Sequence, residues 1–250
     1  DGGRDLCAFD GAGLGAAKYF GKERFAWSGL TSGDISFRYE SGNIWFDDVS
    51  PSIIFDKPEY ALLGLLNSNV TQYFLNILNP TLHYQIGDIR RVPVATLPDV
   101  AGLVKRAIAI ADLDWNSFES SWGFKTSPYL GRPSLRKAWD GWKEVNEARI
   151  SEMIDLETSN NVAFINTYGL QDELTPEVPE SQITLARADR EKDCQRLISY
   201  AIGCMMGRYS LDEPGLIYAH AGNVGFEPGR YATFPADADG IVPITDELWF

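Results

Sequence analysis

Between positions 79 and 91 the chain gathers side chains of the kinds that read nucleic acid: Asn79, Thr81, His83, Tyr84, Gln85, Arg90 and Arg91, with Arg38 and Lys57 upstream. Asn, Gln and Arg engage base edges through two hydrogen bonds at once, Arg and Lys neutralise phosphate, and Tyr and His stack or reach sugar. The same composition suits an ordinary polar loop capping a helix, and the residue types alone leave both readings open.

Other chemistries find less support. Phe9-Asp10-Gly11-Ala12-Gly13-Leu14-Gly15 matches the F-x-G-x-G turn that lets backbone approach an adenosine-containing cofactor, but only Leu6-Cys7-Ala8-Phe9 precedes it where a buried strand is needed. Amino methyltransferases acting on a base use an N-P-P-aromatic or D-P-P-aromatic turn; Asn79-Pro80-Thr81 lacks the second proline and the aromatic. His83 and His220 are far apart and not accompanied by cysteine, so no metal site is expected. No G-x-S-x-G elbow is present, and Cys204 sits on an apolar helical pattern that reads as core. No carboxylate pair is isolated in apolar surroundings. The residues thus supply no catalytic centre and no cofactor site of their own.

The elements that must position the polar cluster follow from periodicity. Ile35–Tyr39, Asn43–Phe46 and Ser52–Phe55 read as short antiparallel strands, with Glu40–Asn43 as a hairpin turn. From Glu59 the period becomes helical through Leu62, Leu66, Val70, Phe74 and Ile77, predicting one helix of about five turns that Pro80 stops. Residues 81–94 then read as a loop followed by an edge strand, because Pro93 cannot donate to a ladder. Residues 99–111, 134–168 and 195–206 carry helical patterns, and Gly169 ends the second. From Tyr209 onward seven acids face the single base Arg230, which reads as an irregular, solvated acidic tail. The expected fold class is α+β: a small antiparallel sheet with a packed helix, a mostly helical region, then the tail.

Composition bounds the rest. The chain has 250 residues, 44% of them hydrophobic, enough for a sizeable core in one large or two small domains. No apolar run approaches the ~20 residues of a membrane span, and the start has no signal-peptide core, so a cytoplasmic protein is expected. Three cysteines without a C-x-x-C pair suggest free thiols. A net charge of -13 argues against a nucleic-acid-binding surface all round. Residues 1–110 hold 10 bases and 12 acids and residues 111–250 hold 12 and 23, so an anionic partner is expected to meet the first half. The start at Asp1 and the aromatic end suggest a fragment.

Longer strings carry a resemblance. Trp27–Gly33 with Phe37–Tyr39, and Leu62–Ser68 with Tyr73–Leu75, resemble the region after the catalytic domain in the PglX family, the adenine-specific DNA methyltransferases of BREX phage-defence systems, related to type IIG restriction-modification enzymes. Leu78-Asn79-Pro80-Thr81-Leu82-His83-Tyr84-Gln85-Ile86-Gly87-Asp88-Ile89 is similar to that family's L-N-P-T-L-N-F-Q-V-G-D-I run, with His83 and Tyr84 replacing Asn and Phe. Asp114–Phe124, Tyr168–Pro179 and Ile198–Tyr218 continue the likeness in colinear order over about residues 20–250.

The resemblance implies an N-terminal lead-in over 1–24, a target-recognition-like domain over 25–98, a helical spacer and docking region over 99–208, and the acidic extension over 209–250. It implies that the S-adenosylmethionine-binding and catalytic motifs lie upstream, and that the partners are double-stranded DNA, the upstream methyltransferase domain and other BREX proteins. Two other readings stand beside it. One is an acidic protein-interaction module holding other defence components; the other is a free-standing methyltransferase built on Gly11–Gly15.

Overall fold

Aromatic and β-branched residues build a three-stranded antiparallel sheet from β1 (Arg24–Trp27), β2 (Phe37–Glu40) and β3 (Ser52–Ile54), in the order β2-β1-β3. The computed structural model describes residue 19 and residues 21–42, 50–220 and 224–236. Phe25 pairs with Tyr39 and Ile53, and Trp27 with Phe37, so the pleat puts these rings on one face, where they enter the core. The alternate positions Arg24, Ala26, Arg38, Glu40 and Ser52 share the other face. There Arg24, 3% exposed, bridges the strands to Glu40 and to Ser52 Oγ. The expected strand at Asn43–Phe46, the last turn residue Asn43 and the glycine run Gly11–Gly15 lie outside the described residues.

Six α-helices follow among the described residues: α1 (Tyr60–Leu66), α2 (Asn69–Leu78), α3 (Ile86–Ile89), α4 (Ala101–Trp115), α5 (Leu135–Tyr168) and α6 (Arg190–Met205). The fold is α+β. None of these helices is long and apolar enough to cross a membrane.

The single helix expected from Glu59 to Pro80 is two helices, broken at Asn67-Ser68. Asn67 turns its amide onto β2, where Oδ1 accepts from Phe37 N and Nδ2 donates to Phe37 O, both at 2.9 Å. Ser68 Oγ and Thr71 Oγ1 both donate to Leu65 O, at 2.7 and 2.6 Å, closing α1. Short polar side chains bonding nearby backbone compete with the helical ladder, and here they win without interrupting the apolar period.

The chain divides into two compact units, formed by the described residues of Asp1–Ile108 with Ile154–Pro179 and of Ala109–Met153 with Glu180–Phe250. In the first, Phe25, Leu65, Val70, Leu75 and Phe164 are completely buried. Gly64 lets α1 approach α5: a Cβ there would lie 2.6 Å from Asn160 Oδ1 and 3.0 Å from Val104 Cγ2. Asn160 Nδ2 donates to Gly64 O at 2.8 Å across this contact.

In the second unit, Tyr129, Ala138 and Trp142 form one cluster and Phe124, Tyr200, Cys204 and Tyr209 another, which accounts for Cys204 as a core thiol. The described residues of the tail are irregular apart from the short turn Pro228–Arg230, yet they are not all solvated. Tyr231 is 2% exposed and donates to Gly207 O at 2.6 Å, while Arg230 forks onto Glu213.

Candidate nucleic-acid interface

The loop after α2 is organised by two side chains. Asn79, at the C-cap of α2 and 9% exposed, uses its whole amide: Nδ2 donates to His83 O at 2.6 Å and to Asp88 Oδ2 at 2.9 Å. Its Oδ1 accepts from Thr81 N at 3.1 Å and Thr81 Oγ1 at 2.6 Å. Asp88 Oδ2 also accepts from the backbone N of Gln85 at 2.9 Å, holding the first turn of α3.

The loop is tied to the sheet as well. Thr31 N donates to Leu82 O at 3.1 Å, Tyr84 N to Gly29 O at 2.9 Å, and the Trp27 indole to Tyr84 O at 2.9 Å. Strand-like pairing therefore runs at 82–84 against 29–31. The edge strand expected near Pro93 is absent: Tyr168 Oη donates to Pro93 O at 2.6 Å and accepts from Ala95 N at 3.0 Å, so a phenol satisfies this stretch in place of a ladder.

The nine candidate residues separate into two groups. Asn79, Thr81 and Tyr84 build the loop, and Tyr84 is 5% exposed within the core. His83, Gln85, Arg90 and Arg91 are exposed on it or directly after α3. Arg38 on β2 and Lys57 after β3 are exposed on other segments, with no hydrogen bond to the loop among the described residues. Arg38, Lys57, Arg90 and Arg91 form no ion pair among the described residues, so their charges are available to an anionic partner. Leu82, 54% exposed, and Ile86, 50% exposed, flank His83 and Gln85 along the loop.

Asp88 is the residue the sequence reading omitted. Its signal was the spacing Gln85-x-x-Asp88 ahead of an apolar residue, which is the geometry of an N-terminal helix cap. What the arrangement can do chemically is present two unpaired arginines, Arg90 and Arg91, with His83 and Gln85, from a braced scaffold.

Over 93% of its length the chain is similar to the adenine-specific methyltransferase PglX of Lacticaseibacillus casei (strain Zhang), 34% identical over 244 residues, and to the adenine-specific methyltransferase BrxX of Escherichia coli O9:H4 (strain HS), 31% identical over 256 residues. The chain matches a segment of the PglX/BrxX methyltransferases. It spans about a fifth of the length of these curated relatives, 20% of PglX and 21% of BrxX. No protein-family model matches it. The strings of the resemblance and the PglX/BrxX match thus agree on the family, and they cover the braced loop along with both units.

Proposed function

We propose that this chain is the DNA-recognition and scaffold portion of an S-adenosylmethionine-dependent, site-specific N6-adenine DNA methyltransferase of a BREX phage-defence system, with the catalytic motifs upstream. The observation that carries this reading is the pair Arg90 and Arg91, exposed and unpaired directly behind the braced loop. Residues 25–98 act as the target-recognition-like domain, 99–208 as spacer and docking surface, 209–250 as an acidic extension, and 1–24 as the lead-in. Arg38, Lys57, Arg90 and Arg91 contact phosphate, Gln85 and His83 face the groove, and Asn79, Thr81 and Tyr84 fix the loop that presents them.

S-adenosylmethionine belongs to the upstream domain, which extrudes the adenine while this portion holds the duplex, so no transfer step is assigned to residues of this chain. The setting is the cytoplasm, with double-stranded DNA, the upstream domain and other BREX proteins as partners. A second reading, a protein-docking module, is favoured by Trp122, which is completely exposed in the acidic half of the chain.

Fluorescence anisotropy with a mixed-sequence duplex over a salt series tests the first reading. Each phosphate contact contributes ~0.9 to the slope of log affinity against log salt, so Arg90→Ala with Arg91→Ala should lower that slope by about 1.8. An unchanged slope would remove DNA contact from this loop and leave the docking module, which a pull-down with and without Trp122→Ala then examines.

A further inference from the structure

The second unit contains a cleft of about 580 Å³ between the first turns of α5 and α6, within the size range of small-molecule sites. Arg136 and Arg190 stand at its walls, both exposed and, among the described residues, without an ion pair. They belong to the half of the chain with the acidic excess, yet residues 132–143 hold four bases and one acid, Asp140, which also lines the cleft and is outnumbered there by the two arginines.

The apolar side of the cleft is the Trp139 indole, with Leu135 and Leu197. That ring is held in place by its Nε1, which donates to Asp193 Oδ2 at 3.1 Å. Asp193, 2% exposed, is itself neutralised: Asp189 N donates to Oδ2 at 2.9 Å and Arg196 to Oδ1 at 2.8 Å. It therefore positions the indole without adding a free negative charge. Tyr129, 7% exposed, also lines the cleft, and its buried hydroxyl lies beside Asp193 and Arg196 without a well-formed hydrogen bond among the described residues.

We propose that this cleft binds a single nucleotide unit, with its phosphate between Arg136 and Arg190 and its base against Trp139. Guanidinium forks match phosphate oxygens in charge and geometry, and every base offers a π-face to an indole whatever its sequence. This site is separate in sequence from the loop at 79–91 and does not depend on that loop contacting DNA.

Cys194 is exposed and lines the same cleft, so it reports occupancy directly. The full chain is labelled with a thiol reagent, and the rate at the Cys194 peptide is followed by mass spectrometry with adenosine monophosphate, adenosine or inorganic phosphate present. Saturating adenosine monophosphate should slow labelling at least fivefold, and each half-ligand should protect more weakly. Arg136→Ala with Arg190→Ala should raise the half-protecting concentration tenfold or more, at an unchanged melting temperature because both side chains are exposed. Trp139→Leu should reduce adenosine monophosphate to the level of inorganic phosphate.

A four-nucleotide single strand protecting at lower concentration than the monomer would identify a strand as the source of the nucleotide; the reverse order would identify the free nucleotide. Labelling unaffected by adenosine monophosphate, or protection that survives loss of both arginines, would overturn the proposal.

Discussion

Replacing Asn79 by Ala separates loop-building from base-reading. The substitution removes four hydrogen bonds, to His83 O, Asp88 Oδ2, Thr81 N and Thr81 Oγ1. A neutral hydrogen bond is worth ~0.5–1.5 kcal/mol net, and one to a carboxylate ~1.5–3 kcal/mol. Thr81 and His83 are exposed, so water replaces part of what they lose. The charged bond to Asp88, with about half the value of the other three, gives a destabilisation of roughly 3 kcal/mol.

For a chain of this length each kcal/mol moves the melting temperature by ~2–4 °C, so a fall of about 6–12 °C is expected by circular dichroism. The salt slope of DNA binding by the folded variant should stay at the wild-type value, because no phosphate contact is lost. Arg90→Ala with Arg91→Ala should do the opposite, leaving the melting temperature within about a degree and lowering the slope by about 1.8, a 12-fold affinity difference between 50 and 200 mM salt. If Asn79→Ala leaves the melting temperature unchanged and alters base preference, Asn79 touches DNA and the loop-building argument is wrong.

Gly64→Ala should destabilise the first unit by about 1–3 kcal/mol, since the new methyl meets Asn160 and Val104 and disrupts the Asn160–Gly64 bond; a urea midpoint equal to wild type would show that α1 and α5 part freely. Asp114 has its carboxyl raised above the ordinary 3.8, chiefly by burial, against the lowering effects of Ala186 N and Arg149. A raised folded-state value means stability is full below about pH 4 and declines as pH rises through the folded value. Asp114→Asn lacks that decline and should gain on wild type between pH 4 and pH 7 in urea titrations; a gap that stays constant or narrows would refute it.

How far the fold was legible depends on which interactions were local. The helices at 101–115, 135–168 and 190–205 follow apolar periodicity, which sequence displays directly. The break at Asn67-Ser68 was hidden because the apolar period runs through it unbroken, and the group that stabilises it, Phe37, lies thirty residues upstream. The false edge strand had the same origin, since Pro93 was read by its missing donor while its carbonyl is satisfied by Tyr168, 75 residues later. In the candidate interface, residue type found the polar cluster but could not rank its members. Asn79 and Arg91 look equally suited to DNA in sequence, and only burial and hydrogen bonding separate a side chain already fully engaged from one still available.

The uneven split of charge between the halves raises the last question, because it sets the expectation that an anionic partner meets the first half of the chain. Electrostatic recognition acts over about a Debye length, ~8–10 Å at physiological salt, so the balance within that radius decides it and the sum over the chain does not. In the first unit, Asp88 is held by Asn79 and by the Gln85 backbone inside the loop, while Arg90 and Arg91 remain outside it and unpaired. In the second, Asp193 is matched by Arg196, and Arg136 and Arg190 have no such partner among the described residues. In both places a carboxylate, Asp88 or Asp193, is engaged in building the scaffold and arginines are left facing solvent, with the exposed Asp140 beside the second pair. An acidic chain can therefore present cationic sites wherever its carboxylates are the structural groups, and the salt dependence of each site should report only its own unpaired arginines.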